Sequence, residues 1–135
     1  MEKLVFISYS TKDKEIAFQI VDHFESKGIG CYIAPRDIQP GGSYASKLTR
    51  AICDSKAIVL VASDAINSSE HVLNEIDLAF QRLPNNIKFK PLKIDDAMFT
   101  PSFSYYLSRQ HWMDAIDPPL EDRLDEFVHK LIDDL

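Results

Sequence analysis

An α/β fold, built on a five-stranded parallel sheet of order 2-1-3-4-5 with helices on both faces, is what this 135-residue sequence predicts. Short apolar runs alternate with amphipathic stretches five times, the pattern of repeated β-α units. Two of the runs, Val5–Ile7 and Ala57–Ala62, are continuously apolar, as strands buried on both faces are. The short connections with helical crossovers force the strands parallel, with right-handed crossovers on both faces. This is a flavodoxin-like arrangement, whose ligand crevice lies outside the carboxyl ends of the strands, here between strands one and three.

Strand one covers Lys3–Tyr9 and ends in a cluster of hydroxyls, Ser8, Tyr9, Ser10 and Thr11. A helix follows over Lys12–Lys27, with Ile16, Ile20 and Phe24 on one face and Gly28 as its stop. Strand two is Ile29–Ala34. The loop Pro35–Ser43 holds two prolines and two glycines, and Tyr44–Asp54 is a short helix burying Leu48 and Ile52. Strand three is Ala57–Ala62, followed by a polar loop over Ser63–Ser69. The third helix is Glu70–Arg82, with Val72, Leu73, Ile76, Ala79 and Phe80 inward, ended by Pro84 and Asn85. Strand four is Lys88–Ile94, where Pro91 argues for an edge position or a bulge. Asp95–Leu107 is irregular except for one helical turn near Phe103–Leu107. A short strand five follows at Gln110–Met113. The last helix begins near Pro119, with Pro118 and Pro119 at its first turn, and buries Leu120, Leu124, Phe127, Val128, Leu131 and Leu135. Three segments, Tyr9–Asp13, Pro35–Ser43 and Ser63–Glu75, converge on the crevice.

The length suits one domain, residues 1–135, and the helical pattern still running in HKLIDDL suits a module of a longer protein. A formal charge of −6 without a basic stripe argues against nucleic acid as the partner and against an anionic membrane surface. No apolar run approaches the roughly 18 residues of a membrane span, and no signal peptide is evident. Cys31 and Cys53 lie in apolar surroundings without metal-ligand spacing and read as buried free thiols. His23, His71, His111 and His129 are scattered. No metal site and a reducing, cytoplasmic location are therefore expected.

Four segments carry motifs. FISYSTKD places hydroxyls at a strand end, where Ser10 or Thr11 can serve as a helix N-cap. In YIAPRDIQPGGSY, Pro35 and Pro40 stiffen the loop, while Gly41 and Gly42 permit positive φ and close backbone approach. Arg36 can grip a phosphate or carboxylate bidentately, or brace the turn with Asp37. In SSEHVLNEIDLAF, His71 and Glu75 stand four apart and share a helical face. Glu75 is set among Val72, Leu73, Ile76 and Leu78. SRQHWMDA carries Trp112, read as packing at a sheet edge.

Taken in order, these segments resemble the signature boxes of TIR (Toll/interleukin-1 receptor) domains, and the resemblance covers essentially the whole chain. Tyr32–Tyr44 is similar to the second box and its long loop, with Arg36, Asp37, Pro40 and Gly41 in the family's R-D-x-x-P-G arrangement. Glu75 matches the glutamate that is catalytic in NAD-cleaving members. The compact FISYS–APRD–LNE pattern is most similar to bacterial members, which commonly serve in antiphage defence. His71 stands where many active members carry tryptophan, and Ser10 where some animal relatives carry arginine.

The resemblance implies an NAD+ nucleosidase, a hydrolase acting on the N-glycosidic bond. It would release nicotinamide and ADP-ribose or a cyclic or conjugated product. NAD+ is then a consumed substrate, and no cofactor is expected. Glu75 is the implied catalytic carboxylate, and Tyr9, Ser10, Arg36, Ser63 and His71 are candidates to bind NAD+. Pro35, Asp37, Pro40, Gly41 and Gly42 form the implied self-association loop. Activity would require homotypic assembly, driven by a sensor domain or activating ligand outside this chain. The alternative is a non-catalytic adaptor acting through TIR–TIR contacts. A dehydrogenase is excluded, since no GxGxxG follows strand one. A phosphoryl-accepting receiver domain shares the strand order. It needs an acidic pair where this chain has Ser8-Tyr9-Ser10, although Asp64 does follow strand three.

Overall fold

The computed structural model describes residues 1–82, 87–108, 111–117 and 119–135. Its strands are β1 (Lys3–Ser8), β2 (Gly30–Tyr32), β3 (Ala57–Ala62), β4 (Lys88–Lys93) and β5 (Met113–Asp114). Its helices are α1 (Lys14–Ser26), α2 (Tyr44–Asp54), α3 (Glu70–Arg82), α4 (Pro101–Leu107) and α5 (Leu120–Asp134). Short 3-10 turns at Thr11–Asp13 and Asp64–Ser68 lead into α1 and α3. The expected sheet is found: all pairings are parallel, in the order β2-β1-β3-β4-β5. Leu83, Pro84, Asn85, Asn86, Arg109, Gln110 and Pro118 lie outside the described residues, so the expected stop after α3, the start of strand five at Gln110 and the role of Pro118 do too.

Alternation along the central strands sorts the core into two layers. Val5, Ile7, Val59 and Val61 pack with Ile20, Phe24, Leu124, Phe127 and Val128, so α1 and α5 cover one face. Phe6 and Ile58 pack with Ile38, Leu48, Ile52 and Ala79, while Leu60 and Ala62 pack with Ile66, Val72, Ile76 and Phe103. Helices α2, α3 and α4 therefore cover the other face. Ser8, two residues beyond Phe6, continues that second face and is aimed at α3.

Several boundaries move for identifiable reasons. Helix α1 starts at Lys14, after the 3-10 turn that Ser10 caps. It ends in a left-handed Gly28 (φ 83°), whose N–H donates to the Glu25 carbonyl while the Ile29 N–H reaches the Phe24 carbonyl. That is a Schellman closure. Strand β2 spans three residues where six were expected. Asp37 ends it early: its carboxylate accepts from the Ile33 N–H at 2.9 Å, and its own N–H donates to the Ile33 carbonyl at 2.8 Å. Ile33 is thereby withdrawn from the ladder. Gly30 enters β2 so close to the N-terminal segment that a Cβ there would lie 2.6 Å from the Glu2 carbonyl oxygen.

Pro91 sits in β4, inside the sheet order, and is tolerated without a bulge. Lys88 and Ile94 donate their N–H groups toward β3, so Pro91, offset by an odd number of residues, faces the β5 side. There β5 begins only opposite Leu92, and no ladder bond is forfeited. Strand five is observed at Met113–Asp114, and α4 is a full helix over Pro101–Leu107 in place of the single turn expected. Three burial expectations are corrected. Phe80 is 41% exposed and packs at a tilt on Phe89 and Tyr106, at the rim of the layer. Cys53 is exposed because α2 turns only Leu48, Ala51 and Ile52 inward; Cys31 is buried, and both thiols are free. Leu135 is only partly buried.

Candidate functional site

A cleft of about 480 Å³ opens at the carboxyl end of the sheet. That volume lies within the range of small-molecule sites. Ile7, Tyr9 and Thr11 line it from β1 and the turn beyond, Ala34, Pro35, Ile38, Pro40 and Gly41 from the loop after β2, Tyr44 from the start of α2, and His71 and Glu75 from α3. All three expected segments contribute. The position differs from expectation: the cleft lies on the β2 side of β1, not between β1 and β3. The Ser63 hydroxyl donates to Asp13 at 2.5 Å and ties the turn after β3 to the turn after β1.

Glu75 is the chemical centre. Only 4% of its side chain is exposed, yet it reaches the cleft wall. Its Oε1 accepts from the Ser8 hydroxyl at 2.7 Å, on the buried side. Its Oε2 lies 3.1 Å from His71 Nε2, on the cleft side. Tyr44 completes the line, with its hydroxyl 3.3 Å from the same His71 nitrogen and the two rings tilted at 32°. The hydrogen bond to Glu75 raises the His71 pKa above the ordinary imidazole value, against the opposing effect of burial. Burial, reinforced by the charge of Glu75, raises the Tyr9 phenol and pushes the Tyr44 phenol up to about 12. Both tyrosines are neutral donors at physiological pH. Tyr9 donates to the Ala34 carbonyl and so pins the loop to β1 beside the cis Ala34–Pro35 peptide.

The structure thus brings Tyr9, His71 and Glu75 together at the cleft, and separates Ser10, Arg36 and Ser63, the other candidates to bind NAD+, from it. Ser10 is buried and its hydroxyl accepts from the Lys12 N–H at 3.4 Å as the N-cap of the turn. Ser63 accepts from the Ala65 N–H at 3.2 Å in addition to its bond to Asp13. Arg36 makes two 2.9 Å bonds to the Glu25 carboxylate and a third to the Cys31 carbonyl. Those bonds hold Glu25 below the usual carboxylate range and keep Arg36 charged. Asp37 braces the loop through Lys3, Arg36 and the Ile33 N–H; burial pushes its pKa up, but these partners outweigh it and hold the carboxyl low. Pro35, Pro40, Gly41 and Gly42 lie exposed on the outer run of the loop, while Ile38 anchors it, 1% exposed. Trp112 stacks on Phe99 at 5.6 Å with Lys93 over its ring, the edge packing expected of it.

Sequence reasoning did not nominate Ser8 as the partner of Glu75, nor Tyr44 as part of the polar line. The alternation of β1 was the available signal: Ser8 shares the Phe6 face, the face that α3 covers. No cluster of three or more metal-ligating side chains occurs among the described residues, and none of the described helices is long and apolar enough to cross a membrane.

A five-stranded β2-β1-β3-β4-β5 sheet with this cleft beside its first strand is the architecture of a TIR domain. The profile of the TIR domain family matches residues 5–132, and the chain belongs to that family. It is 37% identical over 101 residues to a stimulator of interferon genes protein from Magallana gigas, a match covering 67% of this chain but only 24% of that protein. The chain thus spans about a quarter of that relative. Among solved structures, the TIR domain of the Toll-related receptor TRR-2 from Hydra magnipapillata is similar at a TM-score of 0.77 and 21% identity, with 96% and 95% of the two chains covered. A metazoan TIR-STING receptor from C. gigas, solved in complex with 2',3'-cGAMP, is similar at a TM-score of 0.69 and 28% identity, with 92% of this chain and 38% of that one covered.

Proposed function

We propose that this TIR domain is an NAD+ glycohydrolase that breaks the bond between nicotinamide and ribose. The observation that carries the reading is the Glu75 carboxylate, buried at the wall of an otherwise largely apolar cleft and held by Ser8 and His71. Nicotinamide in NAD+ is a cationic leaving group. When the C1′–N bond breaks, the electron pair leaves with it and neutralises the ring, so no proton is needed. The ribose becomes oxocarbenium-like, and a carboxylate beside it stabilises the developing charge. Attack by water at C1′, with loss of its proton, gives ADP-ribose; attack by the adenine of the same molecule, which takes up no water, gives a cyclic ADP-ribose.

Tyr9, Tyr44 and His71 offer flat surfaces and donors for the pyridinium and its ribose. Arg36 is taken up by Glu25 and Asp37, and no lysine or arginine among the described residues lines the cleft. Contacts to the pyrophosphate then come from outside this wall, which favours self-assembly as a condition for activity. The exposed run Pro40–Gly42 is the contact surface we assign to it. The setting follows from the family resemblance: a module switched on by clustering through a sensor or ligand elsewhere, in defence against infection, with bacterial antiphage defence as the specific case.

The test is nicotinamide release from NAD+ by concentrated or artificially clustered protein, with Glu75→Gln as control. Release that is lost in the variant supports the enzyme. No release under clustering, or equal release by both proteins, leaves the adaptor acting through TIR–TIR contacts.

A further inference from the structure

We infer that Ser8 is a positioning residue for Glu75: by holding Oε1 it leaves Oε2 as the oxygen that meets the substrate. The inference rests on the enzyme reading above and goes beyond it to the geometry of the carboxylate. Ser8 is 1% exposed and does not line the cleft, whereas His71, on the opposite side of the carboxylate, does. The two oxygens therefore face different surroundings. Oε1 points into the sheet layer, where the 2.7 Å hydroxyl bond joins residues 67 apart in sequence. Oε2 points to the cleft, where its partner His71 is half exposed.

A carboxylate with two rotatable bonds beyond its Cβ is poorly placed unless something fixes its last torsion. Here a strand does so, since Ser8 is the last ladder residue of β1, paired with Leu60 of β3. The rigid sheet, not the helix bearing Glu75, then sets where the negative charge sits. The other titratable groups around this carboxylate are Tyr9 from β1, Tyr44 from α2 and His71 from α3. The phenols are neutral, and His71 is the partner on the cleft side.

The experiment compares the full chain with Ser8→Ala and Ser8→Thr under clustering, measuring kcat and KM for nicotinamide release. The Glu75 carboxyl carbon is followed by NMR at neutral pH and assigned by its loss in Glu75→Gln. Ser8→Ala should lower kcat about ten- to hundredfold, the range spanned by a hydrogen bond to a charged group, with KM little changed. The Glu75 resonance should move in Ser8→Ala relative to the parent, and Ser8→Thr, which keeps the hydroxyl, should restore both. Parent-like kcat in a folded Ser8→Ala, or a Glu75 resonance in Ser8→Ala that coincides with the parent's, overturns the inference. A parent that releases no nicotinamide while the resonance still moves with Ser8 overturns the enzyme reading instead, and supports Ser8 as the group that holds the carboxylate.

Discussion

Asp37 is the side chain whose removal should most clearly expose how the cleft is held. Its carboxylate is 11% exposed and has three partners: Lys3, Arg36 and the N–H of Ile33. In Asp37→Ala the Ile33 N–H, on a fully buried residue, loses its acceptor, which costs about 1–3 kcal/mol. Lys3 and Arg36 are each 36% exposed, and Arg36 keeps Glu25, so the two lost ion pairs add only about 1 kcal/mol together. The sum is about 2–4 kcal/mol. With a urea m-value of about 2 kcal/mol/M, the unfolding midpoint should fall by about 1–2 M. Asp37→Asn retains an acceptor for Ile33 and should lose less. The pH dependence has a definite sign. Because the folded state holds this carboxyl below its ordinary value, its contribution is present above about pH 4 and lost as pH falls through the folded value. The gap between parent and Asp37→Ala should therefore narrow in acid. Coincident urea midpoints at neutral pH would refute this reasoning and return Asp37 to the role of a surface contact.

Two further outcomes follow from the cleft. Protonated His71 pairs with Glu75 and repels a cationic pyridinium. Since its folded pKa is raised, the pair's contribution to stability is complete below the ordinary imidazole value and is lost as pH rises through the folded one. Nicotinamide release should accordingly rise through that same window, and His71→Phe should flatten the limb; an unchanged pH–rate profile in the variant would count against the pair. Gly41 has φ 151°, which proline cannot adopt, and sits on the exposed run of the loop where a Cβ would meet nothing. Gly41→Pro should impair self-association, measured by light scattering or analytical ultracentrifugation, while leaving the melting temperature near that of the parent. Unaltered self-association would remove this loop from the interface.

Much of the fold was legible in the sequence because it depends on local periodicity. The bounds of α2, β3 and α3 follow from their apolar patterns, and the strand order follows from the crossovers. The extent of β2 was not legible, because a side chain four residues beyond Ile33 competes for its backbone. Phe80 and Cys53 have the composition of core residues, but their helices rotate them toward solvent. In the site, spacing on one helix placed His71 beside Glu75. The fates of Arg36 and Ser63 were settled by partners from other segments, Glu25 on α1 and Asp13, whereas Ser10 caps its own turn through the Lys12 amide, a role its place before a helix already allowed.

By itself the sequence determined the alternation of strands and helices, the family resemblance in its motifs, and a glutamate at one helical position. Only the tertiary structure decided which hydroxyl holds that glutamate, which cation is already spent on a brace, and on which side of β1 the cleft opens. The physical reason is distance. Hydrogen bonds and ion pairs form within about 3 Å, and whether Ser8 lies that close to Glu75 is set by the register of β1 against β3 and by how α3 packs over them, not by anything either segment carries alone.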